Sequence, residues 1–253
     1  MGKLTNIILF FVLIIISSCA SKSKILYVQN LDLTQSYDYE YSEHKLKIDD
    51  ILKIDIKSDD PEINLSYDGY LSNNSVNQRE NLIFSGYKVD ANGNIEYNKV
   101  GKINVLGLTI TELKLRLSKL LIDYGLLTNP VIDIKLINAS FTILGEVNNP
   151  GRYNFDENNI NILQAIGMAG DLTINGKRNE ITVIRESLGS KQFFQIDLTK
   201  DEFLSNNYQV FSGDIVIVKP NSSRVKNAGI IGNSGTLLSL LSFILSSIIV
   251  ISN

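Results

Sequence analysis

The stretch from Val89 to Gly125 reads VDANGNIEYNKVGKINVLGLTITELKLRLSKLLIDYG, and its hydrophobic period changes part-way along. Before Gly107 the period is that of half-buried strands; beyond it apolar residues recur three and four apart, as on one face of a helix. Asn92 and Gly93 supply the positive φ values of a tight turn, so Val89 and Ile95 are expected on facing strands. Thr109 with Glu112 forms a capping box, Leu113, Leu117, Leu120, Leu121 and Tyr124 make one apolar stripe, and Gly125 stops the helix. Asp90, Asn92 and Asn94 look like the start of a calcium loop, but Ile95 stands where such a loop needs glycine for its bend. No metal ligand set is read there.

Upstream, KLKIDDILKIDIKS alternates Ile48, Leu52, Ile54 and Ile56 against Lys and Asp, the pattern of a half-buried strand after a turn at Asp49 and Asp50. Alternation points most of the five aspartates between Asp49 and Asp60 at water. Residues 60–88 are loop-like and read as a surface insertion. Downstream, PVIDIKLI is another alternating strand.

A second unit opens at FTILGEVNNPGRYNF, two strands around a turn pinned by Pro150 and Gly151. A short helix follows, with Ile162, Ala165, Ile166 and Ala169 on one side and Gly170 as its terminator. Strands EITVIRE, KQFFQIDL and FSGDIVIVKP complete it, the order of a β-grasp. GDIVIV echoes DDILKI in the first unit: Asp50 and Asp214 each sit in the turn before a strand. A short carboxylate there accepts backbone N–H groups, a structural role worth about 1 kcal/mol.

The chain opens MGKLTNIILFFVLIIISSCA, one lysine and an apolar core from Ile7 to Ile16, then small residues leading into the only cysteine of the 253 residues. This is a secretion signal. Ile16, Ser17, Ser18 and Cys19 match a bacterial lipobox, in which cleavage leaves Cys19 as an acylated N-terminus. Each buried methylene of the acyl chains adds about 0.8 kcal/mol of anchoring. From Ser21 to Glu43 the chain is polar with scattered tyrosines and reads as a spacer, with ordered structure starting near His44.

A formal net charge of −3 leaves no nucleic-acid footprint. Catalysis needs a placed acid, base or nucleophile, and the chain has one histidine, His44, and one cysteine assigned to acylation. No G-x-S-x-G elbow or phosphate loop exists. Paired carboxylates such as Asp156 and Glu157 are the arrangement left open, since a glycosidase site leaves no spacing rule in sequence. The expectation is a non-enzyme without cofactors.

The sequence resembles the outer-membrane polysaccharide export lipoproteins of the Wza type. Their export domain starts on GD-x-L-x-I, here DDILKI with Asp49 in place of the glycine. Their D-x-x-G-x-I followed by G-x-I-x-V-x-G-L-T is matched from Asp90 to Thr109. Gly145, Pro150 and Gly151 stand at the signature positions of the family's ligand-binding β-grasp (SLBB) domain. The resemblance implies a homo-oligomeric ring, commonly of eight, whose C-terminal helices cross the outer membrane. Capsular or extracellular polysaccharide would pass through it, with an inner-membrane polysaccharide co-polymerase, often a tyrosine autokinase, docked beneath. Only one β-grasp unit is found where better-known relatives have more, which implies a shorter cavity and leaves the ring size open. The insertion at 60–88 has no counterpart in the family pattern.

The expected class is α+β, divided into a lipoprotein signal peptide (1–18), a lipid-anchored spacer (19–43), a polysaccharide export domain (44–138), an SLBB β-grasp domain (139–222) and a membrane-spanning tail (223–253). The tail carries no charge from Asn227 to Asn253. At 100° per residue Gly232, Gly235, Ser239, Ser242 and Ser246 gather on one side, with Leu237, Leu241, Ile244 and Ile248 opposite. Small residues four apart allow close helix approach in lipid. A helix from Gly229 to Ile251 would be about 34 Å long, enough for a hydrocarbon core of about 30 Å. Under that resemblance the tail is a helix of a ring that lines or packs around a lumen; the alternative is a lone anchor. With the second option the protein would be a lipid-anchored periplasmic glycan-binding or scaffold module.

Overall fold

The computed structural model describes residues 25–57 except 30, 35, 39 and 40, then 83, 85–187, 189–205, 208–227 and 234–251. The lipobox, Cys19 and Gly232 lie outside the described residues, as does most of the insertion.

The first unit is built on a three-stranded antiparallel sheet. Strand β1 (Ile51–Lys57) has β2 (Tyr87–Lys88) on one side and β5 (Val131–Leu136) on the other. The register sets Leu52 opposite Leu136, Ile54 opposite Ile134 and Ile56 opposite Ile132, so both strands turn apolar side chains to the same face. That face meets helix α1 (Ile110–Asp123), whose Leu113, Leu117 and Leu121 are fully buried. Each of these contributes about 1.5–3 kcal/mol by leaving water. The capping box is formed as expected, Glu112 N–H donating to Thr109 and the Glu112 carboxylate accepting from Thr109 N–H.

Tyr124, placed on the stripe by spacing, is exposed: it is the C-cap, where the chain already turns away through Gly125 (φ +65°). Ile48 is exposed as well, because the turn at Asp49 and Asp50 precedes β1 and breaks the alternation.

The hairpin expected around Asn92–Gly93 is arranged differently. Strand β3 (Asn94–Tyr97) pairs with β4 (Gly101–Asn104), while β2 pairs with β1. Val89 and Ile95 are both buried but belong to different ladders. The turn itself stands: Gly93 has φ +78°, and the Asp90 carboxylate accepts the N–H groups of Asn92 and Asn94, both at 2.8 Å. Those backbone bonds, Asn94 first, hold the Asp90 carboxyl below its ordinary value. The bonds close the turn from inside, which frees β2 to extend the β1 sheet. Tyr87 and Lys88, expected in the insertion, are thus sheet residues.

In the second unit, β6 (Ser140–Gly145) and β7 (Gly151–Asn154) form the first hairpin, followed by β8 (Ile160–Asn161) and α2 (Ile162–Met168). Strands β9 (Gly176–Ser187) and β10 (Ser190–Ile196) form the second hairpin, and α3 (Glu202–Ser205), β11 (Gln209–Val210) and β12 (Ile215–Pro220) follow. The sheet order is β10-β9-β12-β6-β7, with β12 parallel to β6 and the other pairs antiparallel. A parallel pairing of the first and last strands needs a crossover, supplied here by the intervening helix and hairpin. Ile162, Ala165, Ile166 and Ala169 are buried as their spacing predicts, in one core with Ile143, Val183 and Val216. Together the two units give an α+β protein.

Two further helices follow: α4 (Ser222–Asn227) and α5 (Ser234–Ile251). Among the described residues no helix is long and apolar enough to cross a membrane. The expected span from Gly229 is not shown: residues 228–233 lie outside the described residues, and the described helix α5 has 18 residues, about 27 Å, against a hydrocarbon core of about 30 Å.

Candidate functional site

Three places in this fold combine unusual chemistry with exposed or inter-unit position: the junction of the two units, the N-terminal segment, and the tail.

The junction is made by two turns of the same form. At Lys47–Asp50 the Asp50 carboxylate accepts Lys47 N–H (3.0 Å) and Asp50 N–H donates back to Lys47 C=O (3.2 Å). At Phe211–Asp214 the Asp214 carboxylate accepts Phe211 N–H (2.9 Å) and Asp214 N–H donates to Phe211 C=O (3.1 Å). The residue before each aspartate is left-handed, Asp49 at φ +70° and Gly213 at φ +86°. Both carboxylates do bond backbone N–H, as their position before a strand predicts.

What the spacing missed is their depth and their partners. Asp50 is 2% exposed and Asp214 1%. Asp50 accepts from His44 Nε2 at 3.0 Å, and Asp214 receives Arg185 through Nε and Nη2 at 3.0 and 2.7 Å. Arg185 also stacks over Phe211, 4.2 Å from its ring centroid, and His44 faces that ring at 6.2 Å. Lys47 Nζ then donates to Ser212 C=O, so the first turn holds the second. Asn138, between the units, clips the first turn from behind: its amide accepts Ile51 N–H and donates to Asp49 C=O, both at 2.9 Å.

The N-terminal segment is not the loose spacer its polarity suggests. Val28 N–H and Gln29 N–H donate to the carbonyls of Leu198 and Thr199 at 3.0 and 2.9 Å. The Tyr27 hydroxyl donates to Asp171, and its ring lies under the Arg178 guanidinium at 5.2 Å. Burial first, then the bond to Asp171, raises the Tyr27 phenol well above its ordinary value. Tyr37 donates to Asp201 at 2.9 Å, and Ser42 bonds Gln209 at 2.8 Å. Order therefore begins by Ile25, and the segment straps onto the second unit. The available signal was the tyrosines: aromatic rings with a polar tip inside a polar segment tend to pack and bond at once.

Of the tail stripe, Gly235, Ser239, Ser242 and Ser246 lie on α5 and are exposed. Ser239 donates its hydroxyl to Thr236 C=O, Ser246 to Ser242 C=O and Ser247 to Phe243 C=O. Leu238, Leu240 and Phe243 on the same helix are also exposed. Asp156 and Glu157 sit exposed on the loop after β7, next to each other. Among the described residues no group of three His, Cys, Asp or Glu is placed to hold a metal.

Gly145 closes β6 at φ +93°, and a Cβ there would stand 2.0 Å from Val218 C=O on the parallel neighbour. Only glycine lets these two strands meet at that point.

Residues 38–137 match the polysaccharide biosynthesis/export protein family, and residues 139–218 match the SLBB domain. The two matches, in this order, are those of a Wza-type polysaccharide export protein. The two matches adjoin at residue 138, the Asn138 clip between β5 and β6. Both junction aspartates of the export protein fall inside matched segments, one in each, while α5 lies beyond them. The two matches support a role in polysaccharide export and an association with the cell envelope.

Proposed function

We propose that this export protein is the subunit of an outer-membrane ring through which capsular or extracellular polysaccharide leaves the cell. Acylation at Cys19 anchors each copy, the SLBB unit surrounds the path on the periplasmic side, and the tails of neighbouring copies gather at the membrane. An inner-membrane polysaccharide co-polymerase, of the tyrosine autokinase type, delivers the chain from below. The work is conduction and needs no catalytic residue or cofactor.

The observation that supports this reading best is α5. Its Leu238, Leu240 and Phe243 are exposed, and its serine hydroxyls at 239, 246 and 247 are bonded to carbonyls of the same helix. A helix with these serine hydroxyls bonded to its own carbonyls and these apolar side chains exposed is suited to lipid or to other copies of itself. At about 27 Å the described helix is short for a full crossing.

The test is surface polysaccharide in strains carrying Ser239→Leu, Ser242→Leu or Leu241→Phe. A ring predicts that the two serine changes lower export, by loss of close helix packing, while Leu241→Phe is tolerated. Equal export from all three, with protein level and acylation intact, would sink the ring of tails and leave a lipid-anchored glycan-binding module.

A further inference from the structure

The N-terminal strap has its polarity reversed. Its polar side chains are tied down: Tyr27 reaches Asp171, Tyr37 reaches Asp201, and Gln29 closes on Leu26 C=O. Val28 packs against the core, but Ile25, Leu26, Leu31 and Leu33 stand exposed, Leu33 by 88%. A single exposed leucine is ordinary; four large apolar side chains within the nine residues from Ile25 to Leu33 mark a contact surface. The one charge in that stretch, Asp32, turns back on its own turn, where its carboxylate accepts the Thr34 N–H at 2.9 Å and the Thr34 hydroxyl at 2.7 Å. Leu33 is left at the tip.

What covers this surface follows from where the two ends of the chain leave the SLBB unit. Tyr27 is held by Asp171, at the start of the loop that runs to Gly176. The chain toward the tail departs from the same loop: Asn221 N–H donates to Asn175 C=O at 2.7 Å, just ahead of α4. Between those two points Ile174 is 71% exposed, and Val225 on α4 is exposed as well. The acylated end and the tail, both sent to the membrane in the proposed function, therefore part from the unit at one place. Six residues separate Cys19 from Ile25. An extended chain spans at most about 3.6 Å per residue, so Ile25 stands within about 22 Å of the acylated residue.

We infer that the outer side of the strap, led by Leu31 and Leu33, is a lipid-docking surface that enters the headgroup and upper acyl zone of the membrane holding the anchor. Exposed leucines without a basic cluster suit that zone, where apolar burial and not headgroup charge supplies the attraction. Acyl chains on a loose linker would let the body swing. A strap bonded to the fold at Asp171, Leu198, Thr199 and Asp201 instead fixes the tilt of the SLBB unit against the membrane. This rests on the acylation at Cys19 proposed above.

The experiment uses full-length acylated protein in vesicles of phosphatidylethanolamine and phosphatidylglycerol. Acylation blocks Cys19, the only native cysteine, so an added cysteine is the one free thiol. Leu31→Cys, Leu33→Cys and, as a control, Leu115→Cys on the exposed side of α1 are each labelled with a polarity-sensitive fluorophore. At 31 and 33 the emission should shift to the blue on reconstitution and be lost to nitroxides carried on the upper acyl chains. At 115 neither should occur. Water-like, unquenched emission at 31 and 33 in vesicle-bound protein would overturn the lipid contact and leave the acyl anchor standing. A blue shift without quenching would overturn it in favour of a protein neighbour, and equal quenching at all three positions would overturn a contact particular to the strap. A second label on Cys19, showing no acyl chain there, would overturn the anchor and this placement with it.

Discussion

The turn at Lys47–Asp50 and the turn at Phe211–Asp214 share one backbone form and differ in what surrounds it. Each has an aspartate that takes an amide three residues back, each passes through a left-handed residue, and each feeds a strand. Around Asp214 the partner is a guanidinium that binds through two nitrogens and stacks on Phe211. Around Asp50 the partner is a single imidazole nitrogen. The local form is thus cheap to repeat, while the strength of the site depends on which side chain the rest of the fold delivers to it.

The largest effect should come from Asp214→Ala. It leaves Arg185, whose side chain is 22% exposed, without its carboxylate, and loss of one partner of such a pair costs about 3 kcal/mol. Asp50→Ala should cost about 2 kcal/mol, since an imidazole left alone is less expensive to bury than a guanidinium. Urea unfolding of both variants tests the contrast. Equal losses would mean that the turn bonds, not the partners, set the stability, and a loss near 1 kcal/mol for both would restore the value expected from a turn alone.

A smaller effect separates the left-handed positions. Gly213→Ala should cost about 1–2 kcal/mol, because a side chain is disfavoured at φ +86°. Asp49→Gly should move the other way by about 0.5 kcal/mol, relieving φ +70° while losing an exposed pair with Lys88. Should Asp49→Gly destabilise, the Lys88 pair or a loss of chain stiffness outweighs the strain, and the two turns are less alike than their backbones suggest.

The smallest effect is local. The raised Tyr27 phenol favours the strapped state fully below the ordinary tyrosine value near pH ~10. That contribution is lost as pH rises toward the folded value, because the released segment ionises first. Protease cleavage within residues 25–43 should then rise above pH ~10 while the two units stay folded. In Tyr27→Phe the cleavage should be greater at neutral pH and nearly flat with pH. A strap equally resistant at both pH values would show that the backbone bonds to Leu198 and Thr199 hold it without the phenol.

Short-range rules were enough for the second unit's strand order, for the Thr109–Glu112 capping box and for Gly125 and Gly170 as the places where two helices stop. Those features depend on periods of two and 3.6 residues and on positive φ, and both are written in neighbouring residues. The same rules failed where a neighbour far along the chain decided the outcome. Val89 and Ile95 read as a hairpin pair, yet Leu52 and Ile51 were the better partners for β2. Tyr27 and Tyr37 read as spacer, yet Asp171 and Asp201 lay more than 140 residues away to receive them.

The outer face of the second unit's sheet divides in the same way. That Phe193, Ile184 and Ile215 alternate with buried residues is visible in each strand alone. That they form one continuous row, with α2 on the far side, follows only from the register of five strands drawn from separate parts of the chain. The sequence by itself settled which residues could face outward, because side-chain alternation is a local property of extended backbone. The tertiary structure alone decided which of them share a surface, because strand order and register are set by the packing of the whole core.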